Sequence, residues 1–169
     1  YYYRVRSGGA TLASASFRSG KSPGTPFRIG LFSDAHYGAN PAIGTLLAQA
    51  APDLLLAVGD VSDDGLYADL DTNIFGPLGQ VLSAAPLYWT PGNHDVRDDF
   101  AVCREAFVLP GNELSYWFEY ADAQIVSLNA EGLPGTGWLA NALAASSKPW
   151  KIVFFHEPAY SPDGGHGEE

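Results

Sequence analysis

Methionine is absent from the 169-residue chain, and cysteine occurs once, as Cys103. A single thiol excludes an internal disulfide and any CxxC metal or redox site. Cys103 itself is expected to be a small buried hydrophobe. Without a methionine, residue 1 is not a natural start, so the chain is expected to be a fragment that opens inside a strand at Tyr1-Tyr2-Tyr3. Positive charge is scarce: nine Lys and Arg stand against nineteen Asp and Glu, for a net charge of −10. That balance disfavours the electrostatic footprint of a nucleic-acid binder, and no nucleic-acid partner is expected. No apolar run reaches the length of a membrane span. Internal repeats and low-complexity tracts are also missing.

What is present is ordinary for a globular chain: 46% of residues are apolar and 17% charged. A chain of this length buries roughly 70% of its unfolded surface and needs no covalent staple. The charge is unevenly placed. Residues 1–30 carry a balance of +5, and residues 31–169 one of −15. Two structural contexts follow from that shift. In residues 1–19, two β-prone stretches flank Ser7-Gly8-Gly9, which predicts a hairpin. Residues 20–26 (GKSPGTP) read as a linker. From Phe27 the rhythm changes to short apolar strands at 28–34, 53–60, 86–95 and 150–156, alternating with helical stretches at 41–51, 98–107 and 136–147. Residues 65–83 are expected to be helical in part, with a break near Gly76-Pro77. Residues 114–129 are expected to form an antiparallel hairpin turning at Ala121-Asp122. Continuous apolar strands alternating with helices predict an α/β fold whose sheet is covered on both faces. Trp89, Trp117, Trp138 and Trp150 sit in apolar contexts, and core packing is the expected role of all four.

The polar residues are concentrated where the strands end. Asp34 and His36 follow the first, Asp60 the second, Asn93, His94 and Asp95 the third, and His156 closes the last. In open α/β sheets the ligand crevice lies beyond the carboxyl ends of the strands, so distant segments deliver their side chains to one place. Oxygen and imidazole donors without thiolate suit divalent ions such as Mn, Fe, Zn or Co. A carboxylate such as Asp60 can bridge two ions, and two ions roughly 3.5–4 Å apart can clamp a phosphoryl group and activate a water. Each residue also has a plainer role: Asp34 a cap, Asp60, Asp63 and Asp64 a solvated acidic loop (the expected reading for Asp63 and Asp64), His36 or His156 a hydrogen-bonded histidine, Pro91-Gly92-Asn93 a turn, His166 a residue of a Gly-rich loop. The agreement of four strand ends favours the metal site.

The set Asp34-Ala-His36, Gly59-Asp60, Gly92-Asn93-His94-Asp95 and Val153-Phe-Phe-His156, in that order, resembles the calcineurin-like metallophosphoesterase family. Within it, HEPAYSPDGGHGEE (156–169) is similar to purple acid phosphatases and related bacterial phosphoesterases. The resemblance implies a layered α/β catalytic domain, incomplete here, over residues 27–169. Residues 1–19 resemble the last two strands of a preceding fibronectin type III-like β-sandwich. It implies hydrolysis of small-molecule phosphate esters, chiefly monoesters, by a metal-bound hydroxide at a dinuclear centre. Asp34, His36 and Asp60 would hold one ion, and Asp60, Asn93 and His156 the other. Asn93, His94 and His166 would meet the phosphate, His94 would protonate the leaving group, and Asp95 would orient His94.

The resemblance has limits. The iron-ligating tyrosine of purple enzymes would fall three residues after Asp60, where Asp63 stands, so no ferric–tyrosinate colour is expected. The family's closing Gly-His-x-His motif does not occur before Glu169, so a chain of these residues alone is expected to bind at most one metal well. Diester hydrolysis on the same centre, an inert fragment and a non-catalytic scaffold of the same fold are the alternatives. The resemblance also implies a secreted or periplasmic protein, with any signal peptide lying upstream of Tyr1.

Overall fold

The computed structural model describes residues 1–38, 41–135 and 137–158. The N-terminal hairpin forms where the sequence predicts it. Strands β1 (Tyr2–Ser7) and β2 (Ala10–Ser16) pair antiparallel. Gly8 and Gly9 join them with φ of 54° and 82°. Two successive positive φ angles are what a two-residue turn needs to follow the twist of its strands. The hairpin is exposed along nearly its whole length. The Tyr3 hydroxyl ties it to the rest of the chain by donating to the Ser83 carbonyl at 3.0 Å.

The chain then builds two three-stranded sheets. The first is parallel, in the order β3 (Ile29–Phe32), β4 (Leu54–Val58), β5 (Leu87–Thr90). The second is mixed. Strands β6 (Tyr116–Tyr120) and β7 (Ala123–Ser127) form the expected hairpin, and β8 (Trp150–Phe154) runs parallel to β7. The α-helices among the described residues are α1 (Pro41–Ala50), α2 (Tyr67–Leu70), α3 (Gly76–Leu82), α4 (Arg97–Ala106) and α5 (Trp138–Ala144). The break expected at Gly76-Pro77 is not a break. A one-turn π-helix, Asp71–Phe75, joins α2 to α3. Pro77 falls in the first turn of α3, where a missing N–H costs no hydrogen bond.

The sequence Leu54-Leu55-Leu56-Ala57 in β4 is apolar throughout because both faces of the strand are covered. Leu55 and Ala57 pack with Phe32, Leu70, Ile74, Leu78 and Trp89 on the helical side. Leu54 and Leu56 meet Ala123, Ile125 and Phe154 of the second sheet. Each leucine so buried contributes about 1.5–3 kcal/mol. Hydrogen bonds cross between the sheets near the ends of their strands. Tyr116 Oη donates to the Trp89 carbonyl at 2.6 Å, and Thr90 Oγ1 donates to the Leu128 carbonyl at 3.0 Å. Cys103 and Trp89 are buried as expected. Trp150 corrects the expectation for the tryptophans: it is 67% exposed, because it opens β8 at the edge of the second sheet. Trp117 and Trp138 are half-buried.

Candidate metal centre

The carboxyl ends of β3, β4, β5 and β8 open onto one cavity of about 330 Å³. Asp34, His36, Asp60, Asn93, His94 and His156 all line it. The topology therefore brings together every metal ligand expected from the sequence. Ser33 and Glu157 line the cavity as well, and the sequence reading did not single them out. Glu157 could have been noticed as a second polar group directly after His156. His166 lies outside the described residues.

The backbone is bent at two of these strand ends. Asp34 and Asp60 have φ of 53° and 52°, a left-handed conformation that Asp tolerates better than most residues. The Asp95 carboxylate holds the second bend. It accepts the N–H groups of Asp60 (3.0 Å), Val61 (3.1 Å), Ser62 (3.0 Å) and Gly92 (3.1 Å). It also accepts the Ser62 hydroxyl at 2.8 Å and the Trp89 indole N–H at 3.2 Å. Asp95 was expected to orient His94; the structure gives it a different place. His94 Nδ1–H donates instead to the Asp63 carbonyl at 2.8 Å. Asn93, His94 and Asp95 form one turn of 3₁₀ helix, so their side chains diverge: Asn93 and His94 line the cavity and Asp95 does not. Asp63 is not the solvated acid expected either. Its carboxylate accepts the Tyr37 N–H and, at 3.0 Å, the Asn73 amide. Asp64 is exposed, as expected.

Asp60 is the junction. Its Oδ1 accepts the His94 backbone N–H at 2.9 Å. Its Oδ2 lies 3.2 Å from His156 Nε2 and 3.8 Å from His36 Nε2. Among the described residues, two groups of three side chains lie close enough together to share an ion, Asp34–Asp60–His156 and His36–Asp60–His94, and Asp60 belongs to both. This partition differs from the expected one. His94 stands with His36, because the two rings lie 4.4 Å apart, and Asp34 stands with His156 while remaining 4.0 Å from His36.

His156 Nδ1–H donates to the Val58 carbonyl at 2.9 Å, so its Nε2 is aimed at the Asp60 carboxylate. A neutral imidazole would present a lone pair to that carboxylate, and the contact therefore calls for a cation between or on the two groups. In the free protein a proton supplies it. The hydrogen bond to Asp60 outweighs burial and, with the Val58 carbonyl, pushes the His156 pKa up to about 9. Burial would raise the Asp60 carboxyl, but the hydrogen bonds from His156 and the His94 N–H hold it below the ordinary value.

Two glycines, each part of a sequence motif, make the approach possible. At Gly59, with φ of 73°, a Cβ would run into the His156 ring. At Gly92 it would run into the Asp60 side chain and backbone. The donor set fits a divalent metal. His36 Nδ1 is buried with no hydrogen-bond partner, and His94 and His156 each anchor Nδ1 on a backbone carbonyl, the usual outer support of a metal-binding histidine.

Fold and site together define a metal-dependent phosphoesterase scaffold, and the chain belongs to the calcineurin-like phosphoesterase family, whose sequence profile matches residues 27–169. Among individual proteins, it is similar to acid phosphatase type 7 of Mus musculus, 26% identical over 156 residues, covering 79% of this chain and 36% of that protein. Acid phosphatase type 7 of Homo sapiens is 25% identical over 159 residues, with the same coverages of 79% and 36%. The fold superposes on purple acid phosphatase PPD1 from yellow lupin (Lupinus luteus) seeds with a TM-score of 0.71 at 17% identity, over 90% of this chain and 35% of that one. The chain thus spans about a third of the length of the relatives it matches.

Proposed function

We propose that the protein hydrolyses phosphate esters, phosphomonoesters foremost, with two divalent cations held by Asp34, His36, Asp60, Asn93 and His156. The observation that carries this reading is the Asp60 carboxylate, shared by both ligand trios. Bound there, ions of the Mn, Fe, Zn or Co class would offset the charge of the ester and acidify an attacking water. The other roles fall to the chain. Asn93 and His94 contact the phosphate, and His166 is assigned to it as well. With Nδ1 committed to the Asp63 carbonyl, His94 keeps Nε2 for the cavity and carries the proton that the departing alkoxide takes up. Asp95 supports this as the anchor of the Asp60 loop.

The same reading assigns residues 27–169 to the N-terminal part of the catalytic domain, 20–26 to a linker and 1–19 to the end of a fibronectin type III-like domain. Exposure of the hairpin along both strands supports that last assignment, since an isolated two-stranded sheet is marginal in water. A secreted or periplasmic location is the corresponding proposal for the whole protein, and cell fractionation checks it.

The deciding experiment measures metal content and hydrolysis of phenyl phosphate and diphenyl phosphate by the full-length protein, before and after chelation. Two equivalents of metal and a chelator-sensitive preference for the monoester are expected. Faster cleavage of the diester would replace the monoester reading. Metal binding without hydrolysis of either would make the protein a non-catalytic scaffold.

A further inference from the structure

Tyr37 follows the candidate ligand His36 and adopts φ of 52°, and Gly38 continues the turn at 92°. A bulky aromatic residue in the left-handed region is a costly arrangement that persists only where its surroundings enforce it. Here two side chains enforce it. The Tyr37 N–H donates to Asp63 Oδ1. The Gly38 N–H donates to Asn73 Oδ1 at 3.4 Å, and Asn73 Nδ2 closes the frame by donating to the same Asp63 oxygen at 3.0 Å. Asn73 is fully buried and lies in the one-turn π-helix, a local irregularity that commonly marks a functional position.

What this frame displays is a ring left in solvent. Tyr37 is 68% exposed, yet its ring centroid lies 4.6 Å from that of His36 and 5.6 Å from that of His94, edge-on to the latter at 85°. Hydrophobic packing does not explain a strained, framed and exposed aromatic side chain beside the proton donor. Resting on the phosphoesterase reading above, we infer that Tyr37 is a specificity-determining contact for the leaving group, and that the protein favours phosphate esters of aromatic alcohols. The proton from His94 goes to the ester oxygen, so the group attached to that oxygen lies beside His94 and within reach of the Tyr37 ring. An aromatic leaving group packs against that ring; a polyol does not gain this contact. Inorganic phosphate has no such group and does not reach Tyr37.

The test compares kcat/KM for phenyl phosphate with kcat/KM for glycerol 2-phosphate in the full-length metal-loaded protein and in its Tyr37→Ala and Tyr37→Phe variants. Intrinsic leaving-group reactivity cancels when the ratio of a variant is divided by that of the parent. Tyr37→Ala is expected to lower the ratio about five- to tenfold. Tyr37→Phe is expected to hold it within about twofold, because the ring and not the hydroxyl makes the contact. The inhibition constant for inorganic phosphate is expected to be the same in all three proteins. A ratio unmoved by Tyr37→Ala, or a phosphate inhibition constant that rises in step with the loss, would overturn the role of Tyr37. A parent protein that binds its metals and cleaves neither ester would overturn the phosphoesterase reading instead, so the two failures are distinct.

Discussion

The Asp95 carboxylate accepts the backbone N–H of Asp60 at 3.0 Å, so the turn after β5 fixes the bend that ends β4. The acid of one motif thus acts on the other motif's backbone rather than on its own neighbour, His94. Removing it leaves the N–H groups of residues 60, 61, 62 and 92 and the Trp89 indole without their acceptor at buried positions. Asp95→Ala should therefore destabilise the fold by more than about 3 kcal/mol and weaken metal binding with it. Urea unfolding of parent and variant checks this. A variant as stable as its parent would mean that these donors find water instead.

Asp60→Asn keeps the shape of the side chain and loses its charge. His156 then loses the hydrogen bond that raises its pKa to about 9, and the value should return toward 6.5. With the shared carboxylate gone, metal stoichiometry should drop to one equivalent or none. Imidazole NMR titration reads the first effect and metal analysis after dialysis the second. Tight binding of two equivalents by the variant would remove Asp60 from the bridging position.

His94 stands in one of the two ligand trios, and its imidazole Nδ1 is committed to Asp63. As proton donor rather than ligand, it should cost roughly 10²- to 10⁴-fold in turnover when replaced by alanine, with metal content preserved. Parallel measurement of kcat and bound metal decides the matter. Loss of an ion along with activity would place His94 among the ligands.

The ion pair of Asp60 and His156 gives the metal-free protein a defined pH response. His156 is raised in the folded state, so its contribution is complete below its unfolded pKa of 6.5 and fades as pH climbs toward about 9. Asp60 is held low, so its contribution is complete above its unfolded value of 3.8 and fades as pH falls below it. Thermal unfolding in the presence of a chelator should show this pair's stabilisation at full strength between those two values and declining on the alkaline side. Asp60→Asn should flatten the alkaline decline. An unchanged slope in the variant would assign that decline to other groups.

The strands and the polar residues at their ends were legible in the sequence because each is a local signal. Val153-Phe-Phe-His156 announces both a buried strand and the residue at its end, and Gly92-Asn93-His94-Asp95 does the same after β5. What the sequence did not reveal was pairing across distance. Nothing near Asp63 indicates that its carboxylate meets Asn73 and Tyr37, which depends on a π-turn that replaces the break suggested by Gly76-Pro77. The strands divide between two sheets because β7 takes β8 as its parallel neighbour, a choice that local periodicity does not encode. Trp150 misled for a related reason: an apolar neighbourhood in sequence places a residue in a strand but does not say that the strand lies at an edge.

Asp60 hangs from the first sheet and His156 from the second, and their 3.2 Å contact spans the seam where Leu54 and Leu56 meet Ile125 and Phe154. A cation bound between them, as proposed above, would be a rivet through two separately hydrogen-bonded plates. Stripping it would let the plates breathe against each other along that joint while each keeps its own ladder. Amide exchange would then quicken in the loops that follow β4 and β8 before it quickens inside the strands.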